Sequence, residues 1–151
     1  MKKCAIVYAS YHHKNTEKLV NAVKERFPDV TLIDALKTDS ADLSGFDVIG
    51  FASGIYFFTF HKKLMRFAEG NLPENKKTFL MCTCGEKSDR YFNKMEKIIT
   101  EKKGTVEGKY MCFGYDTYGP LRMIVGLKKG HPDAGEISGA VEFVEGMVSE
   151  E

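Results

Sequence analysis

The chain lacks most of the features that mark specialised classes of protein. No apolar run is long enough to cross a bilayer, and the charged start at Lys2 and Lys3 is followed by neither an extended apolar stretch nor a cleavage site. No membrane span is therefore expected, and a cytoplasmic location is. No Cys-x-x-Cys occurs, and Cys82-Thr83-Cys84 lacks the second pair that a zinc site would need, so no metal centre is expected and the strand cysteines read as buried free thiols. Charge of one sign is missing too: 22 Lys and Arg stand against 21 Asp and Glu. A net charge of +1 supplies no field to gather nucleic acid or an anionic membrane, which leaves only local patches open. Internal repeats, low-complexity tracts and domain-length linkers are absent. The 151 residues, 43% hydrophobic and 28% charged, fit one domain over 1–151, long enough to bury a core and expected to be monomeric.

What is present is organised around residues 3–16. Lys3-Cys4-Ala5-Ile6-Val7-Tyr8 is a β-rich apolar run, and Ala9-Ser10-Tyr11-His12-His13-Lys14-Asn15-Thr16 is polar. A helical pattern then begins at Glu17, with Leu19, Val20, Val23 and Phe27 at helical spacing and Pro28 as its stop. A strand, turn and helix in this order present unpartnered N–H groups and the positive end of a helix dipole. The hydroxyls of Ser10 and Thr16 and the amide of Asn15 add donors. An anion is expected there, although Ser, Asn and Thr before a helix are also ordinary capping residues.

Further along, residues 30–33 read as a second strand, followed by a short acidic connection with a single turn near 41–44. Residues 46–52 are a nearly continuous apolar run, the mark of a central strand covered on both faces. It leads into Ser53-Gly54-Ile55-Tyr56-Phe57-Phe58, read as a loop. A helix over about 61–69 buries Leu64, Phe67 and Ala68 and turns Lys62, Lys63 and Arg66 outward. Residues 78–83 form a fourth strand, with a loop beginning at Cys84. Asp89 is placed as the cap of a helix that carries Tyr91, Phe92, Met95, Ile98 and Ile99 inward and closes at Gly104. Residues 106–113 make a fifth strand with a bulge near Gly108. Residues 114–132 are irregular, with a short helical patch over 121–127, and a last helix buries Ile137, Ala140, Val141, Val144 and Val148.

Strands alternating with helices imply an α/β fold: a doubly wound, five-stranded parallel sheet with helices on both faces. Ligands of such sheets bind beyond the carboxyl ends of the strands, where the strand order reverses. The segments 10–16, 53–58 and 83–88 should therefore converge on one ligand.

Those three segments, in this order and at these distances, resemble the flavodoxin family. The resemblance runs through Ile6-Val7-Tyr8-Ala9-Ser10 with Asn15-Thr16-Glu17, through Asp42-Leu43-Ser44-Gly45-Phe46-Asp47, and through Ser53-Gly54-Ile55-Tyr56 with Phe60-His61-Lys62. It ends in Phe113-Gly114-Tyr115-Asp116-Thr117-Tyr118-Gly119-Pro120. The resemblance implies a sheet of order 2-1-3-4-5 and non-covalently bound FMN. It gives the FMN phosphate to Ser10, Asn15, Thr16 and the N–H groups of Tyr11, His12, His13 and Lys14. Ser53, Gly54, Ile55 and Tyr56 would flank the isoalloxazine with Thr83, Cys84 and Gly85. Tyr56 is the candidate stacking residue, the alternative being that it covers the sheet end as its neighbouring phenylalanines do. His12, His13 and Lys14 can neutralise phosphate or form a solvated surface. Tyr115, Asp116 and Tyr118 can wall the ring or make a plain turn.

Two departures from the family pattern carry expectations. Lys14 stands where flavodoxins place Gly, so a loop of different shape is expected. His61, Lys62 and Lys63 stand where many relatives carry acids, so the second one-electron couple of the flavin is expected to be less negative.

The function implied is an electron carrier that docks transiently on redox proteins, with no catalytic residue of its own. The alternative, resting on the likeness of residues 54–56 and 60–61 to menaquinone-dependent protoporphyrinogen oxidases, is an FMN oxidoreductase acting on a quinone, NAD(P)H or protoporphyrinogen. Ala9-Ser10 and Ala52-Ser53, standing where a phosphoacceptor domain needs the carboxylates that hold Mg²⁺, argue against that reading. Nucleotide hydrolysis of the Walker type is excluded by the missing Gly-Lys-Ser/Thr.

Overall fold

A computed structural model of the chain describes residues 1–11, 14–114 and 130–150. The apolar runs become strands β1 (Cys4–Ala9), β2 (Thr31–Asp34), β3 (Val48–Tyr56), β5 (Lys77–Cys84) and β6 (Thr105–Phe113), with a short β4 (Thr59–Phe60). The sheet order β2-β1-β3-β5-β6 is parallel throughout, and it is the five-strand order expected from the sequence. Helices α1 (Asn15–Arg26) and α4 (Ala134–Val148) cover one face, where Leu19, Val20 and Val23 meet Ala140, Val144 and Val148 over Ile6, Ala52 and Met81. Helices α2 (Lys62–Asn71) and α3 (Asn93–Glu101) cover the other, over Val7, Phe51 and Leu80. Strands β1, β3 and β5 are thus buried on both sides, which is why their sequences are apolar without alternation. No helix among the described residues is long and apolar enough to cross a membrane.

Several local expectations are corrected. Residues 53–56 are the end of β3 rather than a loop, and β4 folds back on them antiparallel, pairing Ile55 with Phe60 and Tyr56 with Thr59. Cys84 ends β5 instead of opening a loop. The cap before α3 is Ser88, whose hydroxyl accepts from the Arg90 N–H at 3.3 Å; Asp89 begins a 3₁₀ turn (Asp89–Phe92) ahead of the helix. After α3 the left-handed residue is Lys103, with φ 59°, and not Gly104. The Gly108 irregularity is present, since Thr78 pairs with Val106 and Phe79 with Gly108, skipping Glu107. The expected helical patch over 121–127 lies outside the described residues.

The start of α4 is tied to the end of β6 through one carboxylate. Asp133 and Glu136 form a reciprocal capping box, with Glu136 N donating to Asp133 Oδ1 at 2.8 Å and Asp133 N to Glu136 Oε1 at 3.0 Å. The other oxygen, Oε2, accepts from Phe113 N at 2.8 Å, and the His131 ring meets Oε1. Burial opposes the charge on Glu136, but the N–H groups of Asp133 and Phe113 and the His131 ring outweigh it and hold the carboxyl below its ordinary range.

Glu136→Gln is therefore expected to lower the unfolding free energy at pH 7 by about 1–3 kcal/mol, read from urea titrations. Because the folded carboxyl is held below its unfolded value, its contribution is whole above a pH of about 4.3 and is lost as pH falls through the folded value. The difference between E136Q and the parent chain should close in acid; a difference that persists unchanged there contradicts this role.

Candidate functional site

The registers bring three strand ends to one level. Ala9 pairs with Ser53, Ser53 with Cys82, and Gly54 with Thr83. Among the described residues the buried polar side chains are Ser10, Asn15, Thr16, Ser53, Thr78 and Thr83, and all but Thr78 lie on the segments leaving these ends. Burying a hydroxyl or amide is costly unless it is hydrogen-bonded. Their concentration at one end of the sheet marks a polar site built into an apolar scaffold.

Each hydroxyl has a defined role. Ser10 Oγ accepts from Glu17 N at 3.1 Å, so it caps α1 from outside the helix, and its own O–H remains a donor. Thr16 is 1% exposed, and its hydroxyl lies 2.9 Å from that of Thr83, joining residues 67 positions apart. In the arrangement where Thr83 donates to Thr16, the Thr16 O–H is left to donate beyond the pair, at the positive end of α1. Ser53 is saturated: it donates to Gly54 O at 2.5 Å and accepts from His61 N at 3.0 Å, which bolts the base of the β3–β4 hairpin.

Lys14 takes the left-handed backbone conformation, φ 55° and ψ 34°, as the residue preceding α1. The expected reshaping of the loop is thus not required at this residue: lysine occupies the conformation glycine would favour, at a cost of roughly 1–2 kcal/mol. Its Nζ reaches Ser10 O at 3.4 Å.

Tyr56 links the first and second segments, its hydroxyl accepting from Tyr11 N at 2.9 Å. Its ring meets that of His61 edge-on, with centroids 4.9 Å apart. Gly54 lies beneath, where a Cβ would come within 2.9 Å of the Tyr56 hydroxyl. Ile55 is half-buried, and Cys84 and Gly85 are buried. The third segment is closed by β6: Gly114 N donates to Cys84 O at 2.9 Å, and Cys84 Sγ donates to Cys112 O at 3.5 Å. Gly114 also packs on the first segment, since a Cβ there would stand 2.7 Å from Asn15 Nδ2. That contact was not anticipated; its one trace in the sequence is a glycine immediately after the last strand.

Two electrostatic findings refine the reading. His61 caps α2, with Nδ1 accepting from Lys63 N at 3.0 Å; burial, then Lys63 and Lys62, lower its pKa. His61 is therefore neutral at pH 7, and the expected trio of cations reduces to Lys62 and Lys63. The thiols of Cys4, Cys82 and Cys112 are not poised to react. Burial pushes Cys4 and Cys112 up to about 12, and the hydrogen bond with Cys84 together with burial raises Cys82 well above its ordinary range.

Among the sequence-derived site residues, Ser10, Tyr11, Lys14, Asn15, Thr16, Ser53, Gly54, Ile55, Tyr56, Thr83, Cys84 and Gly85 all belong to the segments at this end of the sheet. His12, His13, Tyr115, Asp116 and Tyr118 lie outside the described residues.

No family model matches the chain. It is 34% identical over 149 residues to an uncharacterized protein of Methanocaldococcus jannaschii, covering 97% of this chain and 98% of that one. Its fold is similar to that of a short-chain flavodoxin associated with a non-canonical PDU bacterial microcompartment, with a TM-score of 0.67 and 17% identity over 98% of this chain and 97% of the other. A flavoprotein in complex with FMN from Lactobacillus acidophilus aligns with a TM-score of 0.58 and 16% identity over 74% of this chain and 93% of its own. At these identities the likeness to the solved structures is one of fold.

The Thr16–Thr83 pair can be tested in isolation. Thr16→Val or Thr83→Val alone leaves a buried hydroxyl unpartnered and should cost about 1–3 kcal/mol of stability. The double variant should cost less than the sum of the two, with a coupling of about 0.5–1.5 kcal/mol in a urea double-mutant cycle; strict additivity would mean that the pair is not a bond.

Proposed function

Since the chain belongs to one family with the Methanocaldococcus jannaschii protein and has the flavodoxin fold, we propose that it binds FMN non-covalently and carries single electrons between redox proteins. The observation that carries this reading is the donor set at the start of α1. Ser10 accepts from Glu17 N, so its O–H is left for a ligand, and in the arrangement where Thr83 donates to Thr16 the Thr16 O–H is left as well, beside first-turn N–H groups and the helix dipole. That set suits a phosphate monoester: multiply charged, rich in acceptors and unable to donate when ionised. Ser10, Asn15 and Thr16 would hold the phosphate, with Lys14 adding a positive charge. Tyr56 and the segment Thr83, Cys84, Gly85 would hold the ring, offering an aromatic surface and backbone groups for its polar edge. FMN supplies the one-electron chemistry when bound, and the protein supplies position, shielding from water and the local potential.

The surroundings favour a carrier over a hydrolase or a thiol enzyme. The described cysteines are buried, Cys4, Cys82 and Cys112 are held as thiols, and His61 is committed to capping a helix. Substrate turnover is what separates the two flavin readings. Steady-state oxidation of NAD(P)H or reduction of a quinone by the purified protein would move the assignment to an FMN oxidoreductase.

Titration with FMN, followed by flavin absorbance and fluorescence, should show stoichiometric uptake; protein that takes up none overturns the proposal. Thr16→Val should weaken FMN binding on the order of tenfold or more, the loss expected for one hydrogen bond to a charged group, while leaving riboflavin binding nearly unchanged. Equal losses for both ligands would remove Thr16 from the phosphate site. In redox titrations the second one-electron couple should be less negative than in flavodoxins with acids at this position. Lys62→Glu with Lys63→Glu should make it more negative by on the order of tens of mV.

A further inference from the structure

The hairpin that bounds the site has an outer end whose two side chains make no part of the polar cluster described above. Its base is anchored: Phe60 is fully buried and packs edge-on against Phe92, with centroids 5.9 Å apart, and Ser53 locks the backbone at His61. Its apex is Phe57-Phe58, and these side chains are 97% and 82% exposed. Both residues have left-handed backbones, φ 53° and 66°, the conformation that a two-residue I′ turn requires and that Asn-Gly adopts readily. Bulky aromatic residues adopt it at a cost. Two unfavourable choices thus coincide at the same two positions: an aromatic pair where the turn disfavours it, and apolar surface where water disfavours it. Strain of this kind clusters at functional sites, and here it coincides with exposed apolar surface.

The surroundings indicate what the apex meets. Among the described residues the exposed large apolar side chains, apart from Met1, are Tyr11, Phe57 and Phe58, all on the rim at the carboxyl end of the sheet. Residues 53–68 carry Lys62, Lys63 and Arg66 and no carboxylate, and these three cations are exposed on α2 directly after the hairpin. Protruding aromatic side chains followed in the chain by exposed cations combine the two forces that hold a protein at an anionic bilayer: insertion of apolar groups into the acyl boundary and attraction of lysine and arginine to acidic headgroups. Phenylalanine is also common at protein interfaces, so what selects a lipid surface is the run of cations with no carboxylate between residues 53 and 68.

The geometry points to the β3–β4 hairpin as a peripheral membrane-docking element that inserts Phe57 and Phe58 into an anionic lipid surface, with Lys62, Lys63 and Arg66 set against the headgroups. This assignment is independent of the cofactor.

Co-sedimentation of the full chain with vesicles tests it. Vesicles of phosphatidylcholine with about one quarter phosphatidylglycerol should retain the protein, and vesicles of phosphatidylcholine alone should retain it several-fold less. Phe57→Asn with Phe58→Gly supplies the residues the turn prefers, so it should leave the fold as stable or more so while reducing partitioning about tenfold or more. Lys62→Glu with Lys63→Glu should abolish the preference for the anionic vesicles. The chain has no tryptophan, so Phe58→Trp is a single reporter whose emission should shift to the blue on vesicle addition. Absence of sedimentation with either vesicle, equal retention of the F57N/F58G variant, or an unshifted emission would each overturn the assignment, the first leaving a protein surface as the occupant of the hairpin tip.

Discussion

The bond between the hydroxyls of Thr16 and Thr83, at 2.9 Å, fixes the relation between the first and last segments of the site. It is possible only because β1, β3 and β5 are in a register that ends them together, and that register follows from the apolar faces each strand must bury on both sides. A slip of one residue would exchange the faces of a strand and carry Thr83 out of reach of Thr16. The site is thus a consequence of core packing: the same burial that makes the sheet stable sets the distance between two hydroxyls, and those hydroxyls set where a donor can be aimed.

Local rules are broken most where the scaffold gives way to the site. Lys14, Phe57 and Phe58 have left-handed backbones without being glycine. Asn75 and Lys103 do as well, in connections remote from the site, so positive φ alone does not identify function. What separates the first three is their company. Lys14 leads into the helix end beside three buried polar residues, and the two phenylalanines crown a hairpin whose base is bolted at both strands. Agreement across levels of structure specifies a fold, and departures from it collect where something else is being served.

The sequence was most legible where burial dominates. The continuous apolar runs, the spacing of Leu19, Val20 and Val23, and the inward set of α3 all reflect the core directly, and they sufficed for a parallel sheet covered on both faces; the strand order came from the family resemblance. The hairpin was not legible, because Phe57-Phe58 carries none of the turn chemistry by which a two-residue connection is recognised. Nor was the neutrality of His61, which depends on a bond from Lys63 N that exists only once α2 has formed. The helix start at Ser88 and the left-handed Lys103 illustrate the same limit: adjacent residues compete for one role, and tertiary packing decides between them. The grouping of Ser10, Asn15 and Thr16 with Thr83 was visible as two separate segments, whereas the bond that joins them was not.

Net charge conceals the feature that distinguishes the rim of this site. A chain with 22 basic and 21 acidic residues has almost no field at long range. Charges beyond about 8 Å are largely screened at physiological ionic strength, so potential near a ligand is set by the few groups closest to it. Residues 53–68 carry Lys62, Lys63 and Arg66 and no acid, with His61 shifted toward its neutral form, whereas the first turn of α1 carries Glu17. The hairpin then divides its labour by depth. Its buried base positions Tyr56 toward the first segment, and its apex and flanking cations face outward. Lys62 and Lys63 open α2 directly after the hairpin and are exposed, so a carboxylate introduced at either would place an acid in a segment that otherwise has none.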